Sequence, residues 1–366
     1  MAKSKKKKTI TAISLQGGGA LGAYEYGAVK ALYTDRGSNF TPRVVAGISI
    51  GAINAAILVG AKGDPIAALE KIWTDRFCVS PSLSPFMSLL TNPFCEWVLP
   101  FMNLPEKNLS IFGNPGMYCL QPDFLFTPFT APFQATSIYD TSALKKTLDE
   151  FVDIDKLNRP EEIRLVVTAV NVETGERARF DNVDTKLTFD HIIASGSFPV
   201  TLPMTRIGDE YYWDGGIFIN TPVGAAMSAL EDVEASNPDV VRELVSIELH
   251  RMKGQLPKTL HEASDRFYNL VFSGKLTLDR KLYKKYGAFV DLIQEIDRTL
   301  PKNSPLRQYK AYKGLMHHRK IDRYIVIGES GVGAEGSASD FSCKTLKKRI
   351  EAGYNDAIDA LAKYPV

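Results

Sequence analysis

RVVAGISIGAINAAILVGA, residues 43–61, runs from a β-branched pair through a glycine–serine turn into small apolar residues without a break. Val44 and Val45 suit a short buried strand, and AINAAILVGA suits a helix whose small side chains let it pack closely. Between them Gly47, Ile48, Ser49, Ile50 and Gly51 form G-x-S-x-G at the point where strand gives way to helix. In that context the motif reads as a nucleophile elbow, a tight and strained turn that holds a serine hydroxyl exposed. The flanking glycines, Gly47 and Gly51, let backbone and helix approach each other. The helix N-terminus aims amide N–H groups, that of Ile50 among them, at any oxyanion that develops beside Ser49.

Toward the N-terminus the same pattern occurs once more. TITAISL (9–15) reads as a buried strand and ALGAYEYGAVKALY (20–33) as a helix, with GGGALG (17–22) between them. Two strand–turn–helix units in the first 60 or so residues predict an α/β layered fold with a largely parallel sheet. Gly17, Gly18 and Gly19 present bare backbone N–H groups, which suits an anion, either phosphate or a tetrahedral oxyanion. Gly17, Gly19 and Gly22 also satisfy G-x-G-x-x-G. A dinucleotide site, however, wants an acidic residue at the end of the next strand, and that strand runs into Gly47 and Ser49 instead.

Toward the C-terminus, residues 78–135 hold nine of the twenty prolines and eight of the nineteen phenylalanines, so neither regular helix nor central strand is expected. Such an apolar, irregular segment reads as an insertion over the core, a structural flap or a wall for an acyl chain. The α/β pattern resumes with helices near 141–151, 189–195 and 222–232. Strands are expected at 163–170 and 243–249, with a hairpin through Thr174 and Gly175. Beyond Arg251 long charged helical segments follow, then a strand at 323–328 and a closing helix at about 343–363. The division expected is a basic disordered arm (1–8), a hydrolase domain (9–250) and a helical C-terminal region packed on the core (251–366).

A serine nucleophile needs a base. Of the five histidines, His191, His250, His261, His317 and His318, His250 is the serious candidate, because it follows the strand at 243–249 and would give the chain order Ser49, Asp214, His250. Against it, an α/β-hydrolase elbow follows several strands, and Ser49 follows only two. The alternative base is Asp214 itself, in the turn Asp214, Gly215, Gly216, acting on Ser49 as a dyad.

Composition fits an ordinary globular protein: 45% of residues are apolar and 23% charged, enough for one large core or two modest domains. Cys78, Cys95, Cys119 and Cys343 lie far apart without a C-x-x-C pair, which predicts idle thiols and neither a zinc site nor a redox motif. MAKSKKKK leads into glycines and motif residues, so no signal peptide is read, no apolar run reaches membrane-spanning length, and a cytoplasmic, at most membrane-peripheral, location is expected. Between Lys275 and Arg323 thirteen Lys or Arg face five Asp or Glu, although the whole chain is only +2. That local excess suggests peripheral contact with an anionic membrane, and no nucleic-acid motif accompanies it. Nothing in the sequence sets an oligomeric state.

Four blocks, GGGALGAYEYG, GISIGAINAA, ASGSFPVTLP and DGGIFINTP, stand in the order and at about the spacing of the signature blocks of the patatin-like phospholipases. The chain resembles that family over nearly its whole length, and YDTSALKKTLDEFVDIDKLN and DFSCKTLKKRIEAGYNDA look like a bacterial subgroup with an appended C-terminal region. The resemblance implies a three-layer α/β/α fold and a serine lipid-acyl hydrolase. Ser49 would be the nucleophile, Asp214 its base without histidine, and Gly17, Gly18, Gly19 and Ile50 the oxyanion donors, with Gly22, Gly47, Gly51, Gly215 and Gly216 supporting the turns. The substrate implied is a lipid or other carboxylic ester, with no metal or organic cofactor. Ala20 stands where the family's glycine block often carries a basic residue. A small-ester carboxylesterase or an acyltransferase would use the same acyl-enzyme, and a non-catalytic lipid-binding scaffold would keep only the fold.

Overall fold

The two strand–turn–helix units of the sequence become the middle of one sheet. In the computed structural model, which describes residues 8–37, 39–80, 113–123, 130, 135–234, 237, 239–328 and 337–364, β1 (Lys8–Leu15) leads into α1 (Gly22–Arg36), and β2 (Val44–Gly47) into α2 (Ile50–Gly60). The arm before Lys8 and most of the apolar insertion, Phe124 and Phe126 included, lie outside the described residues. After α3 (Pro65–Lys71) comes a small antiparallel sheet of β3 (Gly113–Asn114), β4 (Tyr118–Leu120) and β5 (Tyr139–Asp140). Then follow α4 (Ser142–Phe151), α5 (Ile154–Leu157), β6 (Arg164–Asn171), β7 (Arg177–Asp181) and α6 (Phe189–Ser195). β8 (Thr205–Ile207), β9 (Glu210–Asp214), α7 (Val223–Asp232) and β10 (Val240–Ile247) come next. The C-terminal region supplies α8 (Leu260–Thr299), α9 (Lys310–His317), β11 (Arg323–Ile327) and α10 (Cys343–Leu361).

The large sheet has the order β11-β10-β1-β2-β6-β9-β8, with β7 also paired to β6. The first five strands are parallel; β7, β8 and β9 add the antiparallel edge. Parallel strands are covered on both faces, and all eight residues of β6 are buried, the polar Arg164, Thr168 and Asn171 among them. Alternation along β1 and β2 divides the core. Ile13, Leu15 and Val45 face α1, α2, α6 and α10, whereas Ile10, Ala12, Val44 and Ala46 face α7. The result is the α/β/α layering expected.

β11 extends the central sheet beside β10, and α10 packs along α1. One expectation changes. The four cysteines are not all idle thiols: Cys78 and Cys343 form a disulfide with Cα atoms 4.8 Å apart, which a separation of 265 residues hides from any reading of spacing. Among the described residues no helix is long and apolar enough to cross a membrane.

Candidate active site

Ser49 carries the backbone signature of an elbow. It is the N-cap of α2 with φ 57° and ψ −126°, one of three non-glycine residues at positive φ among the described residues. A residue of this kind is strained by its Cβ, so the surroundings must hold it. Its N–H lies 3.1 Å from both the carbonyl and the hydroxyl of Ser195, and the Ser195 hydroxyl in turn donates to the Thr168 carbonyl at 2.7 Å. The segment ASGSFP thus clamps the turn from behind. Gly47 and Gly51 sit where backbone meets backbone: a Cβ at Gly51 would stand 2.5 Å from the Leu15 carbonyl oxygen, and one at Gly47 would run into the Gly51 carbonyl.

Asp214 closes β9 and is 1% exposed. Its Oδ1 accepts the Gly216 N–H at 2.7 Å, which fixes the rotation of the carboxylate within the Asp-Gly-Gly turn. Gly215 fits there because a Cβ would lie 2.5 Å from the Thr168 carbonyl oxygen. Ser49 and Asp214 line one cavity of about 270 Å³ together with Gly17, Gly18, Gly19, Ile50 and Gly216. The structure therefore brings together the residues that the sequence singled out. Gly22, the sixth of that glycine block, lies behind the site, where a Cβ would meet Ile50 and Trp73.

Within the glycine turn the structure divides the labour differently from the sequence reading, which gives Gly17 an oxyanion N–H. That N–H is taken, because it donates to the Asn220 carbonyl at 3.1 Å. The Gly17 carbonyl accepts from Asn220 Nδ2 and from His250 Nε2, each at 2.9 Å. Gly17 is thus the anchor of the turn. The N–H groups of Gly18, Gly19 and Ile50 have no backbone acceptor among the described residues. Gly19, at φ 55°, holds the left-handed conformation that glycine adopts without strain.

His250 lies beyond the end of β10, and both its ring nitrogens are engaged. Nε2 holds Gly17, and Nδ1 lies 3.0 Å from the Asn269 side-chain amide on α8. Burial holds its pKa below the usual imidazole value, against hydrogen bonds toward two acceptor oxygens, the Gly17 carbonyl and Asn269 Oδ1, that raise it, and the ring braces the glycine turn. His191 caps α6 through Thr188, and His318 stands beside Glu231, away from Ser49. Asn220 is the functional residue that sequence reasoning missed. Its signal was present in DGGIFINTP, six residues after Asp214, but nothing in the sequence showed that its side chain crosses to Gly17.

Most of the remaining surface of the cavity is apolar. Ile53, Leu144, Phe198, Leu202, Phe272 and Phe341 contribute walls from separate segments, and Met117 and Tyr118 bring the described part of the insertion to the same cavity. No cluster of three or more His, Cys, Asp or Glu side chains among the described residues has the arrangement to hold a metal ion.

A profile of the patatin-like phospholipase family matches residues 13–227, more than half of the chain. Among solved structures the chain is similar to VipD from Legionella pneumophila, with 15% identity and a TM-score of 0.43 over 100% of this chain and 72% of that one. It is similar also to a chain of the complex of full-length SpcU with full-length ExoU from the type III secretion system of Pseudomonas aeruginosa (20% identity, TM-score 0.29, 71% of this chain and 48% of that one). A third likeness is to human GIVD cytosolic phospholipase A2 (11% identity, TM-score 0.39, 97% and 59%). No curated protein matches in sequence. The family match spans the glycine turn, the elbow and the Asp-Gly-Gly turn, and on it the chain belongs to the patatin-like phospholipase family, a family of lipid acyl hydrolases.

Proposed function

We propose that the chain cleaves carboxylic esters of lipids through a Ser49–Asp214 dyad and an acyl-enzyme. The observation that carries this reading is the convergence of the strained Ser49, the buried Asp214 and the N–H groups of Gly18, Gly19 and Ile50 on one cavity. Asp214 takes the Ser49 proton as the serine oxygen attacks the ester carbonyl. The former carbonyl oxygen becomes an oxyanion facing the three N–H groups, each worth about 3 kcal/mol to the transition state. Collapse expels the alcohol, which leaves with a proton returned by Asp214, and water then cleaves the acyl-Ser49 ester by the same steps. A fluorophosphonate probe tests the nucleophile: it should label the wild type and leave Ser49→Ala unlabelled. Labelling of both would remove Ser49 from the mechanism.

The apolar walls favour an acyl chain over a small acyl group. Phe198→Asn should lower kcat/KM for long-chain aryl esters by about tenfold, the transfer cost of an aromatic wall, and leave acetyl esters within about twofold. An equal loss on both would mark Phe198 as a core residue only.

Contact with a membrane surface is part of the same proposal. Leu256 and Leu260 are 86% and 88% exposed, and Phe267 follows on α8 beside Tyr268, which lines the catalytic cavity. The basic excess farther along is partly compensated, since Arg298 pairs with Glu295 and Lys320 with Asp291, both at 2.8 Å. Apolar insertion near the mouth therefore carries more of the reading than charge does. Liposome co-sedimentation should fall severalfold in Leu260→Ser/Phe267→Ser and change less between low and high salt. Binding that the double substitution leaves untouched would exclude this face.

A further inference from the structure

A second cavity, of about 730 Å³, lies behind the elbow and shares no lining residue with the catalytic one. The partition between them is the chain itself. Ile48 faces the second cavity and Ser49 the first; Ile219 and Thr221 face the second and Asn220 the first. Most of the lining is apolar, with Pro222, Val223, Met227 and Phe289 beside the two isoleucines.

Set into that apolar surface are polar groups. α7 begins here, and Val223, Gly224 and Ala225 of its first turn, whose N–H groups have no partner within the helix, line the cavity. Thr221, 2% exposed, and Thr168, 5% exposed, are among the lining residues, and neither hydroxyl has a hydrogen-bond partner among the described residues. Burying an unpaired hydroxyl costs about 1–3 kcal/mol, so two in one cavity need an explanation. Cations stand around it. Arg177 and Lys285 are exposed and free of ion pairs among the described residues, and Arg179 shares Asp181 with Arg164. The lining includes one carboxylate, Glu231, which faces His318 at 3.2 Å.

We propose that this cavity binds a single-chain lipid with an oxyanion head, the alkyl chain lying on the apolar wall and the head accepting hydrogen bonds from Thr221, Thr168 and the first turn of α7. Carboxylate and phosphate monoester share that chemistry. A fatty acid would be a product of the reaction proposed above, whereas an alkyl phosphate would come from elsewhere, but the site itself does not depend on what Ser49 does.

Calorimetry on the full chain carrying Ser49→Ala tests this without any turnover. Dodecanoate and dodecyl phosphate, below their micelle concentrations, should both bind, and the tighter of the two names the source. Inorganic phosphate and dodecyl maltoside should bind about tenfold or more weakly, since each lacks half of the recognition. Arg177→Glu/Lys285→Glu and, separately, Thr221→Val should each weaken the better ligand by about tenfold. Thr221→Val carries a second readout: removing an unpaired buried hydroxyl should leave the ligand-free protein as stable or more so, whereas a merely structural threonine would lower its melting temperature. Absence of heat with both anionic lipids overturns the proposal. So does affinity that these variants leave unchanged, or equal binding of the maltoside.

Discussion

Ser49→Ala and Asp214→Asn will each lower ester hydrolysis by on the order of 10⁴-fold, with the fold intact. Asparagine keeps an oxygen where Asp214 Oδ1 accepts the Gly216 N–H, so the turn survives and the loss reports on the base alone. His250→Ala should behave differently. It removes one of two side-chain donors from the Gly17 carbonyl and leaves Asn220 in place, so the glycine turn loosens and activity falls by only about tenfold. Initial rates on a medium-chain aryl ester, with circular dichroism on the same preparations, separate the cases. If His250→Ala is as inactive as Ser49→Ala while still folded, a triad replaces the dyad.

Gly51→Ala is expected to destabilise the chain by about 3 kcal/mol or more, the range of severe overpacking. Its Cβ would stand 2.5 Å from the Leu15 carbonyl oxygen and 2.8 Å from that of Gln16, backbone atoms at the end of β1 and in the residue that joins it to the glycine turn. Neither can rotate away. Relief would therefore push the elbow and the oxyanion donors apart, and activity should fall with stability. Gly287→Ala is the contrast, since a Cβ there meets nothing within 4 Å and lies within α8, where alanine should add about 1 kcal/mol. Urea midpoints measure both. An unchanged midpoint for Gly51→Ala would mean that helix and strand are not packed as described.

Local chemistry made the turns legible. The sequence around Ser49 and Asp214 declares itself because a strained serine and an Asp-Gly-Gly turn need glycine at fixed neighbours, and β1, β2 and β6 declare themselves through short runs rich in apolar and β-branched residues. What was not legible depends on contacts between distant segments. Asn220 and His250 meet at the Gly17 carbonyl only after β1, β9 and β10 have been placed, and that meeting converts Gly17 from a donor to an anchor. Composition set α8 apart from the core, yet Tyr268 and Phe272 of that helix reach the catalytic cavity and Lys285 and Phe289 reach the second one. Helical periodicity gives such a helix but not the wall it completes.

The disulfide has a topological consequence. Joining Cys78 to Cys343 turns most of the chain into a covalent hoop, and the residues before Cys78 form a free tail. That tail supplies β1 and β2, the two strands that stand between β10 and β6, so the hoop provides a neighbour on each side of the tail it grips. Ser49 and the glycine turn ride on the tail; Asp214, Asn220 and His250 ride on the hoop. In an unfolded chain a loop of this length forfeits entropy equivalent to up to about 5 kcal/mol, which favours the closed sheet. A single cut in the hoop between Cys78 and Asp214 would leave its ends tethered by the disulfide, so after such a cut the two halves of the proposed dyad would come apart as separate molecules only once the bond was reduced.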